Sequence, residues 1–133
     1  MSRSYLKLFL KLILFITINW VIVIKKILYL YGFNTRNTIK SSVVLNLITK
    51  ELNLGAELNL VLLHDGVIGT SRNENTSDFL LQLLELPINL FALKPDFLAR
   101  GLDPNEVLEK INLISYDQMV DLLVDNPIIA SWL

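Results

Sequence analysis

The sequence predicts a single α/β domain with a central, mostly parallel sheet of four or five strands flanked by helices. Three observations lead there. Short, almost wholly apolar runs recur along the chain: KILYLYG at 26–32, LNLVLL at 58–63, INLFAL at 88–93 and INLIS at 111–115. Runs that short and continuous suit strands covered on both faces, as in a parallel sheet. The segments between them carry helix start and stop signals, so strands and helices alternate. The length of 133 residues is that of one domain, large enough for one real core.

Each element has its own signal. Residues 26–32 form the first strand, stopped by Gly32. Asn37 or Thr38 caps a helix running to about Leu54, with Gly55 at the position a terminating glycine takes. Ile39, Val43 and Leu47 repeat every four residues and, joined by Val44 and Ile48, make its apolar face. Residues 58–63 are the second strand, with His64-Asp65-Gly66 at its C-terminal end. A polar loop over 70–76 leads to a helix over 78–86, capped by Thr76 or Ser77 and ended by Pro87. Residues 88–93 are the third strand. Pro95 opens a turn of helix that Gly101 ends, and Asp103-Pro104-Asn105-Glu106 is a second start signal. Residues 111–115 are the fourth strand. Asp117 caps a helix over 118–125, closed by Asn126-Pro127. The final IIASWL is apolar to its last residue. It reads as a last strand on the domain's own sheet, as a contribution to a subunit interface, or as both.

Residues 1–22 stand apart. The stretch YLKLFLKLILFITINWVIVI at 5–24 is long enough for a bilayer only if Lys7 and Lys11 snorkel. The domain itself reads as starting at Val23, giving an organisation of 1–22 as an apolar extension and 23–133 as the α/β domain. The extension is then an untranslated piece of an over-long gene model, a membrane anchor, or a buried apolar extension. Charge divides along the chain: residues 1–50 hold eight Lys/Arg and no Asp/Glu, and residues 51–133 hold four Lys/Arg and thirteen Asp/Glu.

Composition excludes several chemistries. With no cysteine the chain has no disulfide, thiolate nucleophile or Cys-based metal site, and it carries no persulfide of its own. One histidine rules out a His-rich metal site, and the acidic residues form no recognisable metal loop. The five glycines fall in no phosphate-loop spacing, so no nucleotide cofactor is expected. Ser41-Ser42 and Ser71 lack the strand–turn–helix setting of an activated serine. Arg36, Lys40 and Lys50 read as a solvated helix face, and no direct nucleic-acid binding is expected.

His64, Asp65 and Gly66 sit where open α/β sheets bind ligands. The bland reading is a turn or an interface; the sharper one is an enzyme using His64 and Asp65 as an acid–base pair. Neighbours on a strand point to opposite faces, which disfavours a direct pair. Phe97, Leu98 and Leu102 around Arg100-Gly101 read as core or interface, with core the default.

Three stretches, 61–68 (VLLHDGVI), 88–102 (INLFALKPDFLARGL) and 112–133 (NLISYDQMVDLLVDNPIIASWL), together resemble the DsrH/TusB family. The matching features are Asp65-Gly66, Ala99-Arg100-Gly101, Tyr116-Asp117 and Trp132, over roughly residues 24–133. The resemblance implies a DsrE/F/H-like fold. It also implies a hetero-oligomer with DsrE/TusD-like and DsrF/TusC-like subunits that passes persulfide sulfur, for tRNA wobble-uridine 2-thiolation or for sulfur oxidation. Some members carry a cysteine in the region of residues 38–54, and this chain does not. It is therefore expected to be a non-catalytic cytoplasmic subunit, with His64, Asp65, Gly66, Arg100, Gly101 and Trp132 as interface or structural residues. The alternative is a membrane-anchored or self-assembling interaction module.

Overall fold

The computed structural model describes the backbone of residues 2–22 and 24–133, and the side chains of 2–17 and 24–133. Val23, the expected first residue of the domain, lies outside the described residues. Five strands form one sheet: β1 (Lys26–Tyr31), β2 (Glu57–Leu62), β3 (Asn89–Leu93), β4 (Ile111–Ile114) and β5 (Ile128–Trp132). Their order is β4-β3-β2-β1-β5, and every neighbouring pair is parallel. Five helices accompany them: α1 (Arg3–Ile22), α2 (Thr38–Asn53), α3 (Asp78–Glu85), α4 (Lys94–Ala99) and α5 (Tyr116–Asp125).

The strand order dictates the layers. From β1 to β4 the chain steps in one direction, so right-handed crossovers put the intervening helices on one face. From β4 it returns past the whole sheet to β5, and α5 must lie on the other face. The two cores follow that division. On one face Val44 and Ile48 of α2, Phe79, Leu80 and Leu83 of α3 and Phe97 of α4 pack on Tyr29, Tyr31, Leu58, Leu60, Leu62 and Leu90. On the other, Met119, Leu122 and Leu123 of α5 lie over a smaller cluster of Leu28, Val61, Leu63, Leu93 and Ile114. A chain of amides, buried at Asn59 and Asn126, ties this second layer down. Asn89 Nδ2 donates to Asn59 Oδ1 at 2.9 Å, and Asn59 Nδ2 donates to Asn126 Oδ1 at 3.1 Å. Asn126 Nδ2 in turn donates to the Leu122 carbonyl.

The expected helix starts hold at Asn37, which accepts from the Lys40 amide, and at Ser77, which accepts from the Leu80 amide. Three readings change. The cap of α5 is Ser115 rather than Asp117: its hydroxyl accepts from the Gln118 amide, and the Gln118 side chain accepts from the Ser115 amide. This reciprocal box satisfies two orphan donors at once, and Asp117 falls inside the first turn. On α2 the sheet takes Ser41, Val44 and Ile48, leaving Ile39, Val43 and Leu47 exposed. A four-residue repeat and a three-four repeat share this helix, and the tertiary contact selects the second. The apolar extension is α1, and its described side chains from Tyr5 to Ile16 are exposed rather than buried. Among the described residues, no helix is long and apolar enough to cross a membrane.

Candidate functional site

The candidate residues gather at the C-terminal end of the sheet. After β2 the chain turns into a single turn of 3-10 helix, His64–Val67. His64 enters it with φ at +50°, the only described non-glycine residue with a positive φ. That conformation is uncommon for a side-chain-bearing residue. It is held by the His64 amide, which donates to Asp96 Oδ2 at 2.7 Å. The imidazole Nδ1 stands 3.8 Å from the same oxygen and is well exposed. Asp65 points elsewhere: its Oδ1 accepts from Arg100 Nη2 at 2.9 Å, while Arg100 Nη1 donates to the Asp96 carbonyl at 3.2 Å. Two carboxylates and one guanidinium thus tie the turn to α4.

His64 and Asp65 are therefore not a pair, though the reason differs from the sequence argument. Both have left the strand, and each is engaged by a different residue, His64 by Asp96 of α4 and Asp65 by Arg100 at the C-cap of α4. Asp96 is the residue that sequence reasoning missed. Its one signal was an acidic side chain directly after Pro95, in the first turn of a helix, where carboxylates are favoured.

Glycine fixes the packing at two places. A Cβ on Gly66 would stand 2.5 Å from the Tyr31 carbonyl oxygen, so the 3-10 turn rests directly on the end of β1. A Cβ on Gly32 would meet the Leu133 side chain at 2.8 Å and the His64 ring at 3.1 Å. His64 and Leu133 therefore close over Gly32 from two sides. Beside them, Trp132 pairs with Tyr31 across β5 and β1, and its carbonyl accepts from the Gly32 amide at 2.8 Å. The Trp132 indole N–H and the Tyr31 hydroxyl are both buried without a partner. Burial pushes the Tyr31 hydroxyl pKa above its ordinary value. Gly101, at φ +73°, terminates α4 in open space and touches nothing in this cluster. The site thus joins His64, Asp65, Gly66 and Arg100, places Trp132 next to them, and leaves Gly101 as a helix stop. Phe97 is core, whereas Leu98 is exposed.

A separate cavity of about 370 Å³ opens between the start of α2 and the start of α3. Thr35, Arg36, Ser41, Ser42, Ser77 and Asp78 are among its lining residues. Both serine hydroxyls of α2 donate to the Thr38 carbonyl, and the only histidine is His64, on another loop. No serine nucleophile is assembled there. Among the described residues, no group of three or more His, Cys, Asp or Glu side chains is placed to hold a metal.

Comparison with known proteins adds a family and a fold. A family model described as DsrH like protein matches residues 39–127. Protein TusB of Pectobacterium carotovorum subsp. carotovorum (strain PC1) is 37% identical over 73 residues, covering 55% of this chain and 73% of that protein. Protein TusB of Yersinia pestis (strain Pestoides F) is 36% identical over 77 residues, covering 58% and 77%. Among solved structures, the ychN protein from E. coli superposes with a TM-score of 0.66 at 14% identity, over 82% of this chain and all of that one. A protein of unknown function from Methanobacterium thermoautotrophicum, MTH1491, does so with a TM-score of 0.61 at 17% identity, over 81% and 98%. At such identities these two structures share the fold.

Proposed function

We propose a function from one premise: this chain belongs to the family of DsrH-like proteins. On that premise it is a non-catalytic subunit of a sulfur-relay complex. Its partners are DsrE/TusD-like and DsrF/TusC-like chains, and it works in the cytoplasm.

The observation that carries the subunit role is chemical. Holding sulfur as a persulfide needs a thiolate, and the sequence contains no cysteine. Sulfur therefore rides on the partners, whether the end product is a 2-thiolated wobble uridine or an oxidised sulfur species. The crest formed by His64, Asp65, Arg100 and Trp132 supports a docking role. Asp65 and Arg100 hold each other, the Arg100 guanidinium also donates to the Asp96 carbonyl, and none of the four is a hydroxyl or thiol nucleophile. Strand β5 supports it too. It pairs only with β1, and it carries no charge and no proline. Ile128 and Ile129 remain exposed on it. Natural edge strands are usually protected by charge, proline or a cover, and a neighbouring subunit provides such a cover.

The test is affinity purification of the tagged full chain from its native host, with mass spectrometry of what co-elutes. Stoichiometric recovery of two small cysteine-bearing α/β proteins is the expected result. A chain that elutes alone, as monomer or homo-oligomer, refutes the reading.

A further inference from the structure

We infer that α1 is a peripheral membrane-binding helix, and that its partner is a bilayer surface carrying anionic headgroups. This goes beyond the sulfur-relay reading and does not depend on it. The helix lies outside the region the DsrH-like family model matches, which begins at residue 39.

The argument starts from spacing. Arg3, Lys7 and Lys11 stand four residues apart on one helix, and such residues share a face. There is no acidic residue in the first fifty, so nothing on α1 neutralises the stripe. Apolar side chains flank it. From Tyr5 to Ile16 the large apolar residues of α1 are between 45% and 70% exposed, and neither core cluster includes any of them. Exposed apolar surface of that extent marks an interaction site.

The shape of the surface selects the partner. Leu12, Ile13, Leu14, Phe15 and Ile16 are five consecutive exposed apolar residues, which at 3.6 residues per turn face every direction around the helix. A groove on a protein covers one face of a helix; a bilayer surrounds it. Next to this apolar collar the three basic side chains lie on one side only, the arrangement that places ammonium and guanidinium groups among lipid phosphates while their stems run along apolar surface. The charge is complementary to an anionic leaflet and opposite in sign to the net charge of the rest of the chain, where residues 24–133 carry thirteen acidic and nine basic side chains. That acidic body is repelled by the same surface, so the helix enters and the domain stays in water.

Flotation of the full-length chain with vesicles tests this. One set is phosphatidylcholine alone, and the other contains phosphatidylglycerol as a minority lipid. The chain is expected to float with the second set and to be released as salt is raised. Each positive charge removed weakens binding roughly fivefold, so Lys7→Glu with Lys11→Glu lowers the affinity more than tenfold. A second variant, Leu12→Ser with Phe15→Ser, is expected to lose binding while keeping the charge. All four residues lie outside both cores, so the α/β domain of either variant keeps the unfolding midpoint of the parent. Peptide mapping of the native protein is expected to recover residues from 1–22. Four results overturn the inference: no flotation, equal flotation with neutral vesicles, a charge-reversed variant that binds as the parent does, or a native chain that starts at residue 23. Self-association through α1 without vesicle binding overturns it as well, in favour of a second copy as the partner.

Discussion

Replacing Gly66 by alanine places a methyl carbon 2.5 Å from the Tyr31 carbonyl oxygen. A carbon and an oxygen in contact normally stand about 3.3 Å or more apart, so roughly 0.8 Å must be found. Neither side yields easily. The Tyr31 carbonyl is backbone at the end of β1 and accepts from the Leu63 amide at 3.0 Å. The turn is closed by the Gly66 amide on the Leu63 carbonyl at 2.9 Å and by the Ile68 amide on the Asp65 carbonyl at 3.2 Å. Overpacking of this kind costs about 1–3 kcal/mol, and loss of one of these buried hydrogen bonds adds about 1 kcal/mol. A total near 3 kcal/mol corresponds to a fall in Tm of roughly 10 °C for a domain of this size. The control is Gly101→Ala. Gly101 has φ at +73° with nothing within 4 Å of its missing Cβ, so it pays only the left-handed backbone penalty of about 1–2 kcal/mol. Urea unfolding of the two variants beside the parent measures both. If Gly66→Ala costs no more than Gly101→Ala, the close approach of turn and strand does not control this corner of the fold, and the reasoning fails.

Three further outcomes follow from the same structure. Tyr31→Phe removes a buried hydroxyl that has no partner, so it leaves stability unchanged or raises it by up to about 1 kcal/mol. Burial holds the Tyr31 pKa above its ordinary value, and burial with Glu51 does the same for Tyr29. The folded state therefore keeps these protons to higher pH than the unfolded state. Their effect is nil well below about pH 10, and stability falls as pH rises through that value towards the raised folded one; in Tyr31→Phe, denaturation midpoints above it fall less steeply. Asn126→Ala strips the Asn59 amide of its acceptor inside the second core layer. It is expected to cost about 1–3 kcal/mol, whereas a loss below half a unit would mean that the amide chain is not what anchors α5. Ile129→Lys charges the exposed edge of β5; it shifts stability by no more than about 0.5 kcal/mol yet removes the co-eluting subunits, and unchanged co-elution places the interface elsewhere.

The strands and helix starts were legible because local chemistry fixes them. Continuous apolar runs, Asn37 and Ser77 before helical periods, and the glycines at 55 and 101 each act within a few residues. What was not legible depends on partners distant in sequence. The apolar stripe of Ile39, Val43 and Leu47 is as regular as the one that is buried, and only the position of α3 and the sheet decides between them. Asp117 and Ser115 are both competent caps, and the choice rests on Gln118 reaching back to the Ser115 amide. At the site, Asp65-Gly66 and Arg100 were readable as a pair of signals, but their joining is an encounter across 35 residues. Asp96 was missed because its role is to hold a backbone amide distant in sequence, and its one signal, an acidic side chain directly after Pro95, is common to many helix starts.

The crest and the chemistry it lacks point the same way. An open parallel sheet binds ligands outside the C-terminal ends of its strands where the strand order reverses, here between β1 and β5. Here Leu133 and His64 close over Gly32, and Gly66 seals the turn against Tyr31. The carboxylates that would serve as bases are engaged: Asp96 by the His64 amide and Asp65 by Arg100. The imidazole of His64 is exposed, and among the described residues no hydroxyl donates to it. What the arrangement does provide is rigidity, with three side chains and two glycines fixing one turn between β2 and α4. On the proposed reading that rigidity has a use. A subunit that shapes the seat for a partner's reactive thiol needs a surface that keeps its form when the partner arrives, because ordering it at that moment would cost affinity.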